Sequence, residues 1–245
     1  QERVAQRRGL SRQSYAEGDI LNPNRLPQLI IDKKAGVSEP EVFTRYEHIR
    51  RRTKLVGKTD YIFVFDRSSS MAQNGGEKKR AAVTSALILL EALAGMERDI
   101  KEAEERTGLE LDLDIRTALY TFNDSSECIK QLSPGLSDKE RLSVRQSILR
   151  PTGRTADFLA LDEIAAIPTD RERQRIVIAV SDGESDDAEH AARAIERLRQ
   201  QGVLVFGVGI GSDAATRLYA PNSRRVDNPA NLPNVLQSFI ESTLR

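Results

Sequence analysis

The feature that most constrains this chain is the run Tyr61-Ile62-Phe63-Val64-Phe65, followed at once by Asp66-Arg67-Ser68-Ser69-Ser70-Met71. An unbroken apolar run of this kind describes a strand buried on both faces, as in the interior of a parallel sheet. The segment after it reads D-x-S-x-S. A carboxylate and two hydroxyls on alternate residues all face one point if the backbone turns sharply there. Oxygen ligands without His or Cys suit Mg²⁺, Mn²⁺ or Ca²⁺ rather than zinc. The competing reading is a polar loop that caps the next helix, since Ser and Asp are favoured N-caps.

From residue 59 onward the hydropathy pattern alternates. Residues 78–96 read as a helix with Ala82, Ser85, Ala86, Leu89, Leu93 and Met96 on one face, broadened by Leu87, Ile88 and Leu90. Residues 97–106 continue it as a charged segment projecting into solvent until Gly108. Residues 114–122 and 127–132 read as strands, close enough through Asn123-Asp124-Ser125-Ser126 to form an antiparallel hairpin. Helices are expected at 138–149, 158–167, 188–201 and 232–244, with strands at 175–180 and 203–208. Strands separated by helices need right-handed crossovers. The expected fold is therefore α/β: a Rossmann-like, doubly wound, mostly parallel sheet with one short antiparallel edge strand and helices on both faces.

Charge divides the chain. Lys and Arg equal Asp and Glu at 37 each, so no global field points to nucleic acid. Residues 1–58, however, hold 13 Lys and Arg against 7 Asp and Glu, a net of +6, which leaves −6 on the remainder. This split suggests a basic N-terminal extension, 1–58, and an α/β domain, 59–245, with the seam at 54–58. The extension is expected to pack partly on the domain through a strand at 42–49, leaving the run 50–54 exposed. Cys128 is the single cysteine, so an intramolecular disulfide is excluded and a reducing compartment is favoured. No apolar run approaches the ~20 residues that span a bilayer. The start, Gln1-Glu2-Arg3-Val4, has no signal-peptide pattern and reads as a fragment of a longer protein.

In open parallel sheets ligands sit beyond the carboxyl ends of the strands. Three loops are expected there. The first carries Asp66, Ser68 and Ser70. The second is Pro151-Thr152-Gly153-Arg154-Thr155-Ala156-Asp157, and the third is Ser181-Asp182-Gly183-Glu184. Together they offer two carboxylates and several hydroxyls from three strand ends. Mg²⁺ takes six oxygens and keeps several waters, so this set leaves room for one outside ligand.

On these residues the chain resembles the von Willebrand factor A domain family over about 59–245. The resemblance is carried by Asp66-x-Ser68-x-Ser70-Met71, Gly153-Arg154-Thr155, Val180-Ser181-Asp182-Gly183 and Val205-Phe206-Gly207-Val208-Gly209-Ile210-Gly211. It implies a metal-ion-dependent adhesion site. Ser68, Ser70 and Thr155 would coordinate through hydroxyls, Asp66 and Asp182 mostly through water, and a partner's Asp or Glu would complete the shell. Thr152 competes with Thr155 for the hydroxyl of the second loop. Ser69 departs from the Gly that relatives commonly carry there and could restrict the turn. The flank, with Gly18-Asp19-Ile20-Leu21, Arg25-Leu26 and Val42-Phe43-Thr44-Arg45, looks like that of bacterial A domains in cobaltochelatase subunits and nitric-oxide-reductase activation proteins. That likeness implies a cytoplasmic setting and a MoxR-type AAA+ ATPase as partner.

Other residues receive plainer readings. Glu184, Asp186 and Asp187 either extend the metal site or serve the start of the next helix, where acids favour the dipole. Asp157 reads as a helix-start residue, Cys128 as a small buried hydrophobe, and His48 and His190 as surface residues. The function expected is a non-catalytic, metal-dependent protein-binding module. The alternatives are a Mg²⁺-dependent phosphatase using Asp66 as nucleophile, which would need an acid where Ser68 stands, and a secreted adhesin. No P-loop, G-x-S-x-G or His cluster accompanies the motif.

Overall fold

The computed structural model describes residues 3–10, 14–18, 20–22, 25, 31–32, 34–37, 39–41, 43–53, 57–108 and 113–243. The chain divides into two compact units, an N-terminal one dominated by residues 1–55 and a larger one comprising 56–106 and 112–245.

The N-terminal unit holds two small antiparallel sheets. β1 (Arg3–Leu10) pairs with β4 (Tyr46–Thr53), and β2 (Ile20–Leu21) pairs with β3 (Phe43–Thr44). Thr44 is buried and its hydroxyl donates to the Ile20 carbonyl at 3.1 Å. Arg45 donates to the Glu17 carbonyl at 2.8 Å and lies over the Tyr15 ring. The strand expected at 42–49 thus breaks at Arg45 into β3 and β4, and both halves pair within their own unit. Arg50, Arg51 and Arg52 lie in β4 opposite Gln6, Ala5 and Val4. The expectations for Asp19, Leu26, Val42 and Lys54 fall outside the described residues, as do the side chains of His48 and of the Arg50–52 run.

The larger unit is a six-stranded sheet in the order β10-β9-β8-β5-β6-β7. Its strands are β5 (Thr59–Asp66), β6 (Ile115–Phe122), β7 (Ser126–Ser133), β8 (Gln174–Ser181), β9 (Leu204–Ile210) and β10 (Ser223–Val226). All neighbours are parallel except β6 and β7. β5 is central and buried at every position, as its apolar run requires. Its alternating side chains divide the interior. Tyr61, Phe63 and Phe65 point into one layer with α1 (Glu77–Thr107), α2 (Asp138–Ile148) and α6 (Leu232–Thr243). Ile62 and Val64 point into the opposite layer with α3 (Asp157–Ala166), α4 (Ala188–Gln200) and α5 (Ala214–Leu218). Helices therefore cover both faces, as expected. Among the described residues no helix is long and apolar enough to cross a membrane.

After β5 the chain moves out through β6 to β7; after β8 it moves the other way to β9 and β10. The carboxyl ends of β5 and β8 therefore flank a topological switch point, where open α/β sheets place their ligand crevice. Several expectations need correction. The second loop follows no strand; it joins α2 directly to α3, so only two of the three loops leave strand ends. The antiparallel edge strand runs eight residues, and α5 and β10 were not foreseen. β10 escapes the pattern because only Val226 of its four residues is buried. On α1, Met96 and Ile88 are exposed and Glu97 is buried, because the helix outruns the sheet it packs on.

Candidate functional site

Asp66, the last residue of β5, is 0% exposed. Its Oδ1 accepts from the Ser68 backbone N–H at 2.6 Å and its Oδ2 from the Ser181 hydroxyl at 2.7 Å. Burial pushes its carboxyl up to about 6 against these hydrogen bonds, and the like charge of Asp182 adds to the rise. The chain then turns into a 3₁₀ segment, Ser69–Ala72. Ser68 is buried, and its hydroxyl lies 2.9 Å from that of Ser70. Ser70 in turn donates to Asp182 Oδ1 at 2.6 Å. Ser68, Ser70 and Asp182 thus form one continuous chain of oxygens across the switch point. Ser69 fits the turn without strain: among the described non-glycine residues only Asn74 has a positive φ. Its side chain is exposed.

The second loop is stitched to the first by backbone bonds, Ser69 N–H to the Gly153 carbonyl at 3.0 Å and Thr152 N–H to the Arg67 carbonyl at 2.8 Å. Gly153 has φ +77°, and a Cβ there would meet Asp124 Oδ2 at 2.0 Å, so both conformation and space call for glycine. The hydroxyl of Thr152 is turned away from the carboxylates, accepting from Asn123 Nδ2 at 3.1 Å. Thr155 is buried, and its Oγ1 lies beside Gly183, 3.8 Å from where a Cβ on that glycine would stand. Of the two threonines, Thr155 is the one against the Asp182 loop.

The third loop is locked to the second by Asp186. Its N–H donates to the Thr155 carbonyl at 2.9 Å, and its carboxylate accepts from the Thr155 N–H at 3.1 Å. Asp186 is therefore a clamp between loops rather than a helix-start residue, whereas Asp187 does cap α4 by accepting from the His190 N–H. Glu184 is exposed and pairs with Arg217. Asp157 opens α3, but it is buried, bonded by the hydroxyls of Ser185 and Tyr219, and its carboxyl is raised by burial. His190 is half-buried, stacked on Phe158 and 2.7 Å from Asp162, so it is more than a free surface residue. Cys128 is half-buried against the second core layer.

Two residues in the site were not singled out from the sequence. Ser181, inside the quoted Val180-Ser181-Asp182-Gly183, holds Asp66. Lys78, the second residue of α1, places its ammonium 2.7 Å from Asp182 Oδ2. Among the described residues no three His, Cys, Asp or Glu gather as a metal cluster. A cation here would therefore rest on two carboxylates plus hydroxyls, a hard, low-charge donor set.

This fold and constellation define a class. The chain belongs to the von Willebrand factor type A domain family, whose model matches residues 60–232. An uncharacterized protein of Treponema pallidum (strain Nichols) is 28% identical over 186 residues, 69% of this chain but 30% of that protein. Proximal thread matrix protein 1 from the mussel byssus superposes with a TM-score of 0.57 at 19% identity, covering 78% of this chain and 47% of its own. A form of that protein with a zinc-occupied MIDAS motif gives 0.54 at 20% identity, with coverages of 78% and 46%. The manganese-loaded TRAP protein of Plasmodium vivax gives 0.54 at 19%, with 78% and 74%. At these identities the structural likeness is one of fold. The chain spans less than a third of the Treponema protein and about half of the mussel one.

Proposed function

We propose that this chain is a metal-dependent protein-binding module, with Asp66, Ser68, Ser70, Thr155 and Asp182 holding a divalent cation at the switch point. The observation that carries the reading is the oxygen chain Ser68–Ser70–Asp182 drawn together from two strand ends. Solved members of the same fold carry manganese, or zinc at the motif of the same name. The donors here are all oxygens, which favours Mg²⁺ or Mn²⁺, with Ca²⁺ as a further candidate.

Each side chain has a distinct task in this reading. Asp66 and Asp182 offset the charge of a divalent ion, and the three hydroxyls add donors without charge. The bound ion supplies an exchangeable coordination position, for which a carboxylate is the natural hard ligand. A partner's Asp or Glu desolvated there would act as a hot spot. The N-terminal flank makes a MoxR-type AAA+ ATPase the first partner to test, in a cytoplasmic assembly. The phosphatase alternative is disfavoured by Asp66 itself. A nucleophile needs an accessible oxygen, and both oxygens of this buried carboxylate are already bonded.

The test uses Mn²⁺ as probe. Bound Mn²⁺ with an exchangeable water enhances the relaxation of solvent protons. A short peptide bearing one Asp should reduce that enhancement, and the same peptide with Asn should not. Equal responses to both peptides would reject the carboxylate-binding role. Steady, Mg²⁺-dependent hydrolysis of p-nitrophenyl phosphate lost in Asp66→Asn would favour the enzyme instead.

A further inference from the structure

Lys78 is placed by an unusual piece of backbone. Asn74, Gly75 and Gly76 carry φ of +54°, +70° and +74°, three left-handed residues in succession. They end the 3₁₀ segment that carries Ser70 and swing the chain into α1. Asn74 tolerates this conformation better than most side chains, and the glycines adopt it freely. The turn is further tied by Arg80, which donates to the Gly75 carbonyl at 2.6 Å. The result is a lysine in the first turn of a 31-residue helix, where the dipole disfavours a cation. A specific partner must hold it there. That partner is Asp182, whose side chain is fully buried while that of Lys78 is 17% exposed.

The two oxygens of Asp182 are divided: Oδ1 takes the Ser70 hydroxyl and Oδ2 the Lys78 ammonium. Asp66 has only neutral donors among its hydrogen-bond partners. Lys78 is thus the cation in direct contact with this pair of buried carboxylates.

We propose that Lys78 is a tethered counter-cation that competes with the divalent metal for Asp182. This rests on the metal reading above. Its ammonium neutralises Asp182, so the three loops keep their arrangement without depending on a metal. To give Asp182 to a divalent ion, the ammonium must let go of Oδ2 and move out along its exposed edge. The apparent affinity for metal is then reduced by the fraction of sites in which Lys78 is engaged. Lys78 is a positioning residue in this scheme, tuning how readily the module loads.

The experiment compares the full chain with Lys78→Gln, Lys78→Arg and, as a neighbouring control, Lys79→Gln. Mg²⁺ and Mn²⁺ affinities are measured by calorimetry, and thermal midpoints with EDTA and with Mg²⁺. Lys78→Gln should bind metal about tenfold more tightly, as expected for removing one partly screened unit charge beside the site. In EDTA it should melt several degrees lower than the parent and recover with Mg²⁺, giving a larger metal-induced shift. Lys78→Arg, which keeps the charge, and Lys79→Gln should both behave like the parent. A lysine that merely braces the fold would lower the midpoint equally with and without metal and leave affinity unchanged, which would overturn the proposal. Equal metal binding by the parent and Lys78→Gln would overturn it and leave the metal reading intact. No binding by any variant would overturn both.

Discussion

Ser181 Oγ donates a 2.7 Å hydrogen bond to Asp66 Oδ2, joining the ends of β8 and β5 beneath the site. The two strands are parallel neighbours, and this bond fixes which way the Asp66 carboxylate faces. Hydrogen bonds to charged groups contribute roughly 1.5–3 kcal/mol. Ser181→Ala should lower stability by that order, read as a shift in the urea midpoint. It should also weaken metal binding by about 10–100-fold, as loss of a group that orients a ligand does. Unchanged affinity in a folded Ser181→Ala protein would show that Asp66 does not need this orientation.

Gly207, in the middle of β9, tests the packing of the second core layer. A Cβ there would lie 2.3 Å from the Cβ of Tyr219 and 2.4 Å from its Cγ. Tyr219 is buried and bonded to Asp157, so it has little room to give. Overpacking of this kind costs about 1–3 kcal/mol. Gly207→Ala should show that loss in chemical denaturation. An unchanged midpoint would mean that Tyr219 can relocate without cost.

The opposite end of the sheet holds a buried ion cluster with a defined pH signature. Asp60 accepts two bonds from Arg116, at 2.8 and 2.9 Å, and one from Arg173 at 2.8 Å, with Arg175 3.7 Å away. Burial pushes the Asp60 carboxyl up, but the hydrogen bonds and charges of Arg116 and Arg173 outweigh it, and the net shift is downward. A carboxyl held below its ordinary value contributes stability above that value and loses it as pH falls through the folded one. The contribution should therefore be complete at neutral pH and disappear below about pH 4. Removing one partner of a buried pair costs roughly 3–5 kcal/mol, and the partial exposure of Arg116 places this cluster toward the lower end. Asp60→Asn should be less stable at pH 7 with a shallower acid limb below pH 4. Parallel stability–pH curves for the two proteins would contradict this assignment.

How much could be read beforehand follows from which residues carry periodic or chemical signals. β5, β8 and β9 are continuous apolar runs, and the helices around them have apolar stripes, so their order and the sheet class were legible. The five proposed metal residues were legible because hydroxyls and acids at strand exits are chemically conspicuous. β10 was not, since an edge strand with one buried residue has no period to detect. Nor was Asp186 as a clamp or Lys78 as a counter-ion. Both roles depend on contacts between residues far apart in the chain, 31 and 104 positions. The expectation that the second loop leaves a strand failed because two helices, α2 and α3, succeed one another around Gly153 with no strand between them.

The central claim is that Asp66, Ser68, Ser70, Thr155 and Asp182 act together on one divalent cation. Calorimetric titration of the intact chain with MgCl₂ and MnCl₂, set beside Asp66→Ala, Asp182→Ala and Thr155→Ala, tests it most directly. The account predicts one saturable site per chain in the parent, lost in both aspartate variants and weakened in Thr155→Ala, with circular dichroism showing each variant folded. Retention of the parent's affinity by folded Asp66→Ala and Asp182→Ala would contradict it.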